Sequence, residues 1–373
     1  MSGLEQRTLS RAAAVLDVAA PSVDAPFRGV STDTRSLAAG DLFVALVGPN
    51  FDGHDFVPQA AEKAAAGAVV SREVAVDLPQ IRVEDTRLAL GRLGAARRAA
   101  LDLPVVGITG SNGKTTVKEM TTAILSQRGK VLATKGNLNN DIGMPLTLLQ
   151  LEPEHDYAVI EMGANHPGEI AYLTGLARPD VALITNAGPA HLEGFGSVKG
   201  VSRAKGEIYQ GLGDHGVAVI NADDEYSAYW QSLNKNRRQR LFGIAAAEAD
   251  VRAEAIDAGP DHSRFQLVTP EGRIEIHLPL AGRHNILNAL AAAAATLAAG
   301  VSLADVAAGL AAMHAVSGRM EQHPGHAGAT LLDDTYNANP GSLAAGLDVL
   351  TTTPGRHVLV LGDMGELGPE AFR

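Results

Sequence analysis

The feature that most restricts how this chain can fold is the stretch Gly107-Ile108-Thr109-Gly110-Ser111-Asn112-Gly113-Lys114-Thr115-Thr116, set between an apolar run and a helix-like segment. Val105 to Thr109 reads as a buried strand and about Lys114 to Gln127 as a helix, so the stretch is the turn of a βα unit. Glycines there let the backbone turn so that successive N–H groups and the helix N-terminus face phosphate oxygens. Lys114 adds a positive charge, and the Thr115 hydroxyl suits a magnesium ion. The spacing departs from the general phosphate loop, because the position five before Gly113 is Ile108 and the first loop glycine is Gly110. Gly110, Ser111, Asn112, Gly113, Lys114, Thr115 and Thr116 are therefore expected to bind a nucleoside triphosphate.

Further apolar runs, Tyr157–Ile160, Val181–Ile184 and Val217–Ile220, alternate with helix-length segments, which predicts a parallel, doubly wound α/β sheet. Phe265–Val268 and Ile274–Leu278 read as a hairpin about Pro270-Glu271-Gly272, before an alanine-rich helix from Asn285 to Ala299. The first hundred residues mix short strands with turn clusters and helices over Ala60–Ala66 and Thr86–Leu101, as in a small α/β domain. Three domains are expected: 1–102, 103–316 and 317–373. The last should hold strands at Thr330–Asp333 and Val358–Leu361, the second leading into a loop through Gly368, and a helix from about Gly341. With 57 positions it is short for a typical domain of roughly 100 to 150 residues, so the sequence reads as stopping partway through it. Because a parallel sheet cut short leaves unpaired edges, the third domain is expected to be less stable than the other two.

Length supports this division, since 373 residues exceed one ordinary core. Hydrophobic residues at 46% and charged residues at 20% exclude whole-chain disorder and fibrous classes. A formal net charge of -11 argues against binding nucleic acid through bulk charge, so any polyanion must be held by a local site. The absence of cysteine removes disulfides, thiolate metal sites and cysteine nucleophiles, and suits the cytoplasm. No run reaches the roughly 18 apolar residues of a membrane span. Ser10–Leu16 reads as a short capped helix rather than a secretory leader, because Asp17 interrupts it.

A phosphate loop alone fits kinases, switches, motors and ligases. Glu161 follows a strand and so lies at the carboxyl end of the sheet, where it could bind magnesium, although a glutamate there is often a solvated charge. His191 lies beyond the strand that ends near Thr185-Asn186. Lys205 stands at the start of a predicted helix, where an exposed lysine is the plain reading.

Taken together, these segments resemble the Mur ligase family, ATP-dependent ligases that assemble the peptide of the bacterial cell-wall precursor. Thr109–Thr115 is similar to that family's variant of the phosphate loop, Glu161-Met162-Gly163-Ala164 to its magnesium-binding segment, His191 to its metal-binding histidine, and Ala204-Lys205-Gly206-Glu207 to the segment whose lysine is carbamylated. The resemblance further implies Asn285 and Asn288 near the nucleotide base, and Arg319 and Asp334 as ATP contacts. Thr34, Arg35 and Ser36 fall in a run that looks like a UDP-substrate domain. Gly136–Pro145, with Asn137, Asn139 and Asn140, and Asp333–Pro340 resemble segments of the member that adds the terminal dipeptide. This likeness implies a three-domain ligase, with the third domain incomplete, using ATP, Mg2+ and a carbamylated Lys205. Its substrates would be UDP-N-acetylmuramoyl-tripeptide and D-alanyl-D-alanine, and it would act as a monomer that binds no nucleic acid and enters no membrane. A phosphate-loop kinase, a nucleotide-binding regulatory module and folylpolyglutamate synthase are the alternatives.

Overall fold

The computed structural model describes residues 7–365, so the expected loop residues Glu366, Leu367 and Gly368 lie outside it. The chain divides into two compact units. The first comprises residues 1–102 with 134–153, and the second 103–133 with 154–373.

In the first unit, α1 (Leu9–Leu16) starts where Thr8 Oγ1 accepts from Arg11 N, and ends at Asp17 in the left-handed region. A parallel sheet in the order β1 (Val30–Ser31), β2 (Leu42–Val44), β5 (Gly67–Val70), β6 (Gln80–Arg82) forms the middle of the unit, with the short pair β3 (Val47–Gly48) and β4 (Phe51–Asp52) beside the chain's path between β2 and β5. Helix α2 covers only Val57–Glu62, because Ala64 turns to φ 56°; the expected helix over Ala60–Ala66 therefore stops early. Asp85 caps α3 (Thr86–Ala99) by accepting from the backbone of Arg87 and Leu88. Residues 134–153 return to this unit. Their helix α5 (Gly143–Leu148), which follows α4 (Lys114–Leu125) of the second unit in sequence, packs on α3 at Gly94, where an added Cβ would stand 3.0 Å from Pro145 Cα.

The second unit is built on a nine-stranded sheet in the order β15 (Gly272–Leu278), β14 (Ser263–Thr269), β13 (Val251–Ala258), β12 (Arg238–Gly243), β11 (Val217–Asn221), β10 (Val181–Ile184), β7 (Val105–Thr109), β9 (Tyr157–Glu161), β8 (Val131–Ala133). Pairings from β8 to β13 are parallel, and β14 and β15 add the expected antiparallel hairpin at one edge. From β7 the chain goes out to β8 at the sheet edge, returns to β9 beside β7, then crosses to the other side of β7 at β10. The strand order thus reverses at β7, where ligands bind at the carboxyl ends of such sheets. Helices α6 (Glu169–Ala177), α7 (Leu192–Phe195), α8 (Val198–Gly206) and α9 (Ser227–Leu233) lie between strands in the chain. Helix α10 (Arg283–Ala298) is almost wholly buried, and its run of small alanines lets it press against α4 and the sheet. Helix α11 (Leu303–Ala311) packs on α4 at Gly309.

Beyond α11 come an antiparallel hairpin, β16 (Glu321–Pro324) with β17 (Thr330–Asp333), and α12 (Pro340–Thr352). The expected strand Val358–Leu361 does not form. No neighbouring strand offers it a ladder among the described residues, and its side chains are exposed.

A Cβ on Gly309 would lie 2.4 Å from Ile124 Cα, a backbone atom that cannot swing away. Gly309→Ala should therefore destabilise the second unit by about 1–3 kcal/mol in denaturant unfolding, despite alanine's better helix propensity. An unchanged or raised midpoint would show that α11 and α4 have slack.

Candidate active site

The parallel registers set the site. Ile108 pairs with Glu161 and Thr109 with Ile184, so the ends of β7, β9 and β10 lie level and their loops converge. The phosphate loop turns at two positive-φ glycines, Gly110 at 149° and Gly113 at 79°. Side chains are excluded there: a Cβ on Gly110 would fall 1.9 Å from Thr185 Oγ1, and one on Gly113 would fall 2.5 Å from Asn288 Oδ1. The loop after β10 braces the turn. Ser111 N donates to Asn186 O at 3.0 Å and Asn112 N to Asn186 Oδ1 at 3.0 Å, while Asn112 O accepts from Thr185 Oγ1 at 2.6 Å and Asn186 Nδ2 at 3.1 Å. Ser111 Oγ also bonds with Gly188 in both directions. Thr185 and Asn186 belong to no motif in the sequence, and only their position just after a strand marks them there as site residues.

Lys114 Nζ donates to Gly110 O at 2.9 Å and Ser111 O at 3.1 Å, so the ammonium is held inside the loop where a phosphate would sit. Burial lowers its pKa, Arg319 pushes the same way, and Glu161 opposes them. Thr115 Oγ1 donates to Glu161 Oε2 at 3.0 Å, and Glu161 is itself buried at 2% exposure. A hydroxyl and a carboxylate side by side are hard oxygen donors of the kind magnesium takes, so these residues fit that ion. Thr116 is buried in the first turn of α4.

Lys205 is placed differently from its sequence reading. It lies in the last turn of α8, which starts at Val198 behind the cap Ser197, and it is only 2% exposed. Trp230 of α9 supports that helix by donating to Ser202 O at 3.0 Å. Nζ lies 5.5 Å from the centre of the Phe195 ring. Burial first and the Lys114 charge second bring its pKa down to about 7, with Glu169 and Glu207 opposing. His191 takes a left-handed conformation, φ 55°, at the start of α7, in the loop that braces the phosphate turn.

Asn285 and Asn288 sit in the first turns of α10, buried, with Asn288 Nδ2 donating to Asn285 Oδ1 at 3.2 Å and Asn285 Nδ2 to Ala281 O at 2.8 Å. From the third segment, Arg319 Nη2 donates to Thr115 Oγ1 at 3.0 Å and its guanidinium stacks 4.3 Å from the Tyr336 ring centre. Burial raises the pKa of Asp334.

In the first unit a cleft of about 460 Å³ is lined by Arg28, Ser31, Thr32, Asp33, Ser36 and Leu138, among others. Of the three expected residues in this region only Ser36 lines it. Thr34 turns inward, its hydroxyl donating to Gln59 Oε1 at 2.7 Å, and Arg35 is exposed and forks onto Asp33. Asn140 caps the turn into α5, its Oδ1 accepting from Gly143 N at 2.8 Å and Ile142 N at 3.2 Å. Asn139 N donates to Asn137 O at 2.8 Å.

A glycine turn at the switch point of a parallel sheet, with a lysine, a threonine and a buried glutamate converging on it, defines a phosphate-loop nucleotide-binding protein. Comparison with known proteins narrows the class. Residues 108–296 match the Mur ligase middle domain, 26–98 the Mur ligase family catalytic domain and 318–372 the Mur ligase glutamate ligase domain. UDP-N-acetylmuramoyl-tripeptide–D-alanyl-D-alanine ligase of Escherichia coli (strain K12) is 51% identical over 364 residues, 98% of this chain and 80% of that protein. MurF from Acinetobacter baumannii superposes with a TM-score of 0.93 at 42% identity, over 99% of this chain and 82% of that one. MurF ligase from Thermotoga maritima, solved in complex with ADP, gives 0.80 at 28% identity, over 92% and 79%. The chain belongs to the Mur ligase family.

Lys205 gives a signed pH dependence. Its folded pKa lies near 7 against 10.5 for the free side chain, so between those values the unfolded chain binds the proton and the folded chain does not. The penalty for burying it is complete below about pH 7 and fades towards pH 10.5. Lys205→Met should thus stabilise the protein most near pH 7, in buffer freed of carbon dioxide, with the gain shrinking by pH 10. A gain that is constant with pH would place the ammonium in solvent.

Proposed function

We propose that this chain is an ATP-dependent ligase that joins D-alanyl-D-alanine to UDP-N-acetylmuramoyl-tripeptide in peptidoglycan precursor synthesis. The observation that carries the reading is the Thr115–Glu161 bond beside Lys114, on a chain half identical along nearly its whole length to a ligase of that name. It would work as a monomer in the cytoplasm, and no helix among the described residues is long and apolar enough to cross a membrane. The proposed division of labour gives residues 1–102 the UDP-substrate, 103–316 ATP, and 317–373 the start of the ligase domain. The cleft at Arg28, Ser31 and Ser36 supports the first assignment.

A carboxylate does not yield an amide until one of its oxygens can leave. Transfer of the γ-phosphoryl group of ATP to the tripeptide carboxylate makes an acyl phosphate and releases ADP. The dipeptide amine then attacks the carbonyl carbon, inorganic phosphate departs, and the amine gives up its proton. Carboxylate and γ-phosphate are both anions, so their approach needs cations already in place. Lys114 would leave its carbonyl partners for the phosphates. Thr115 and Glu161 would hold magnesium, which supplies charge neutralisation. Arg319 would move from the Thr115 hydroxyl to ATP.

Lys205 would carry a carbamate. Its amine adds to carbon dioxide only when neutral, and a buried lysine beside the cationic Lys114 loses its proton readily and gains from becoming an anion. As a carbamate it would join His191 in holding a second magnesium ion, for which an ammonium is unsuited. Lys205→Ala should be nearly inactive, with partial restoration by acetate. No restoration, together with an unmodified lysine mass in bicarbonate, would count against the carbamate.

The direct test measures ADP release from magnesium ATP with UDP-N-acetylmuramoyl-tripeptide, with and without D-alanyl-D-alanine. Release should require both, with amide as the product. Lys114→Ala and Glu161→Ala should each lower it by about 100-fold or more while unfolding normally. Phosphate transferred to a hydroxyl would instead mark a kinase.

A further inference from the structure

Asn339 precedes Pro340 and forms the cap of α12. Its Oδ1 accepts from Ser342 N at 2.9 Å, and Asn339 N donates back to Ser342 Oγ at 3.0 Å, a reciprocal box that fixes which way the side-chain amide faces. With the oxygen committed to the helix, Nδ2 points outward and donates to Asn112 Oδ1 at 2.6 Å. Asn112 is the residue whose backbone N–H and C=O are gripped on the other side by Thr185 and Asn186. The approach is close, since a Cβ on Gly341 would stand 3.2 Å from Asn112 Nδ2.

We propose that Asn339 is a positioning residue for the nucleotide site, holding the phosphate loop at Asn112 from the cap of α12 and so tying the seating of that helix to ATP binding. Capping alone does not require asparagine, because serine and aspartate cap equally well. Reaching Asn112 while capping needs a side chain with a donor beyond its acceptor, which serine lacks.

This rests on the phosphate-loop reading, which Lys114→Ala tests separately. Magnesium ATP binding is measured by calorimetry on the whole chain carrying Asn339→Ser, Asn339→Ala, Asn112→Ala, or Asn112→Ala with Asn339→Ser. Asn339→Ser keeps the cap and should keep the unfolding midpoint, yet weaken ATP roughly three- to tenfold, the effect of one neutral hydrogen bond. The double variant should bind no more weakly than Asn112→Ala alone, because both changes remove the same bond. Wild-type affinity in Asn339→Ser, or effects that multiply in the double variant, would overturn the proposal. If Lys114→Ala also binds ATP normally, the phosphate-loop reading fails with it; if only Lys114→Ala is impaired, the proposal falls alone.

Discussion

The turn from Gly110 to Gly113 is the constraint on which the rest of the second unit depends. Its two end positions, Gly110 and Gly113, cannot take side chains, because Thr185 and Asn288 already fill the space a Cβ would need. Those two residues come from β10's loop and from α10, so the turn is shaped by elements distant in sequence. The core makes this possible. Parallel pairing of β7 with β9 and β10 levels the strand ends, and the alanines of α10 bring its first turn close enough for Asn288 to meet Gly113. A bulkier residue in that alanine run would push α10 off α4 and move Asn288, which connects core packing to phosphate binding.

Electrostatics explain how a chain with net charge -11 can attract a triphosphate. Lys114 lies close enough to Lys205 to lower its proton affinity, and burial acts on both in the same direction. Arg319 completes a local concentration of positive charge that has one buried carboxylate, Glu161, facing it through Thr115. Burying these cations is unfavourable in isolation, and an anion entering the site offsets the cost. Local charge and global charge therefore have opposite signs, and the local one governs recognition.

The parts of the fold legible in the sequence are short-range. The phosphate loop, with β7 before it and α4 after it, and the β14–β15 hairpin are dictated by a few adjacent residues. Elements defined by distant partners are not legible. Strand β12 begins Arg238-Gln239-Arg240 and carries no apolar run, and it pairs because β11 presents an edge. Val358–Leu361 has the apolar run and no edge, and it stays unpaired. The bond from Thr34 to Gln59 joins residues far apart in the chain, and no local pattern announces it, whereas the bonds from Gly143 and Ile142 to Asn140 are of the turn-capping kind its residue type allows. Residues 134–153 come after β8 in the chain but pack with the first unit, a choice made by contacts such as Gly94 with Pro145, which no local pattern announces.

The segment after α11 shows why the nucleotide site and its surroundings cannot be separated energetically. Among the described residues beyond Met313, Val349 is the one buried apolar side chain, packed near Gly282 at the head of α10. A two-stranded hairpin and a helix with so little apolar burial have small intrinsic stability. Their placement relies in good part on polar bonds, and two of these, Arg319 to Thr115 and Asn339 to Asn112, end on the loop that meets phosphate. Thr115 already donates its one O–H to Glu161 and accepts from Arg319, so a further ligand at that oxygen would have to share it with the guanidinium. By linkage, whatever ATP does to the seating of this segment, the seating does equally to ATP affinity. A well-packed third segment would hold its place regardless of ligand; this one is held by bonds from Arg319 and Asn339 to the phosphate loop itself, so a ligand that displaced either bond would loosen the segment.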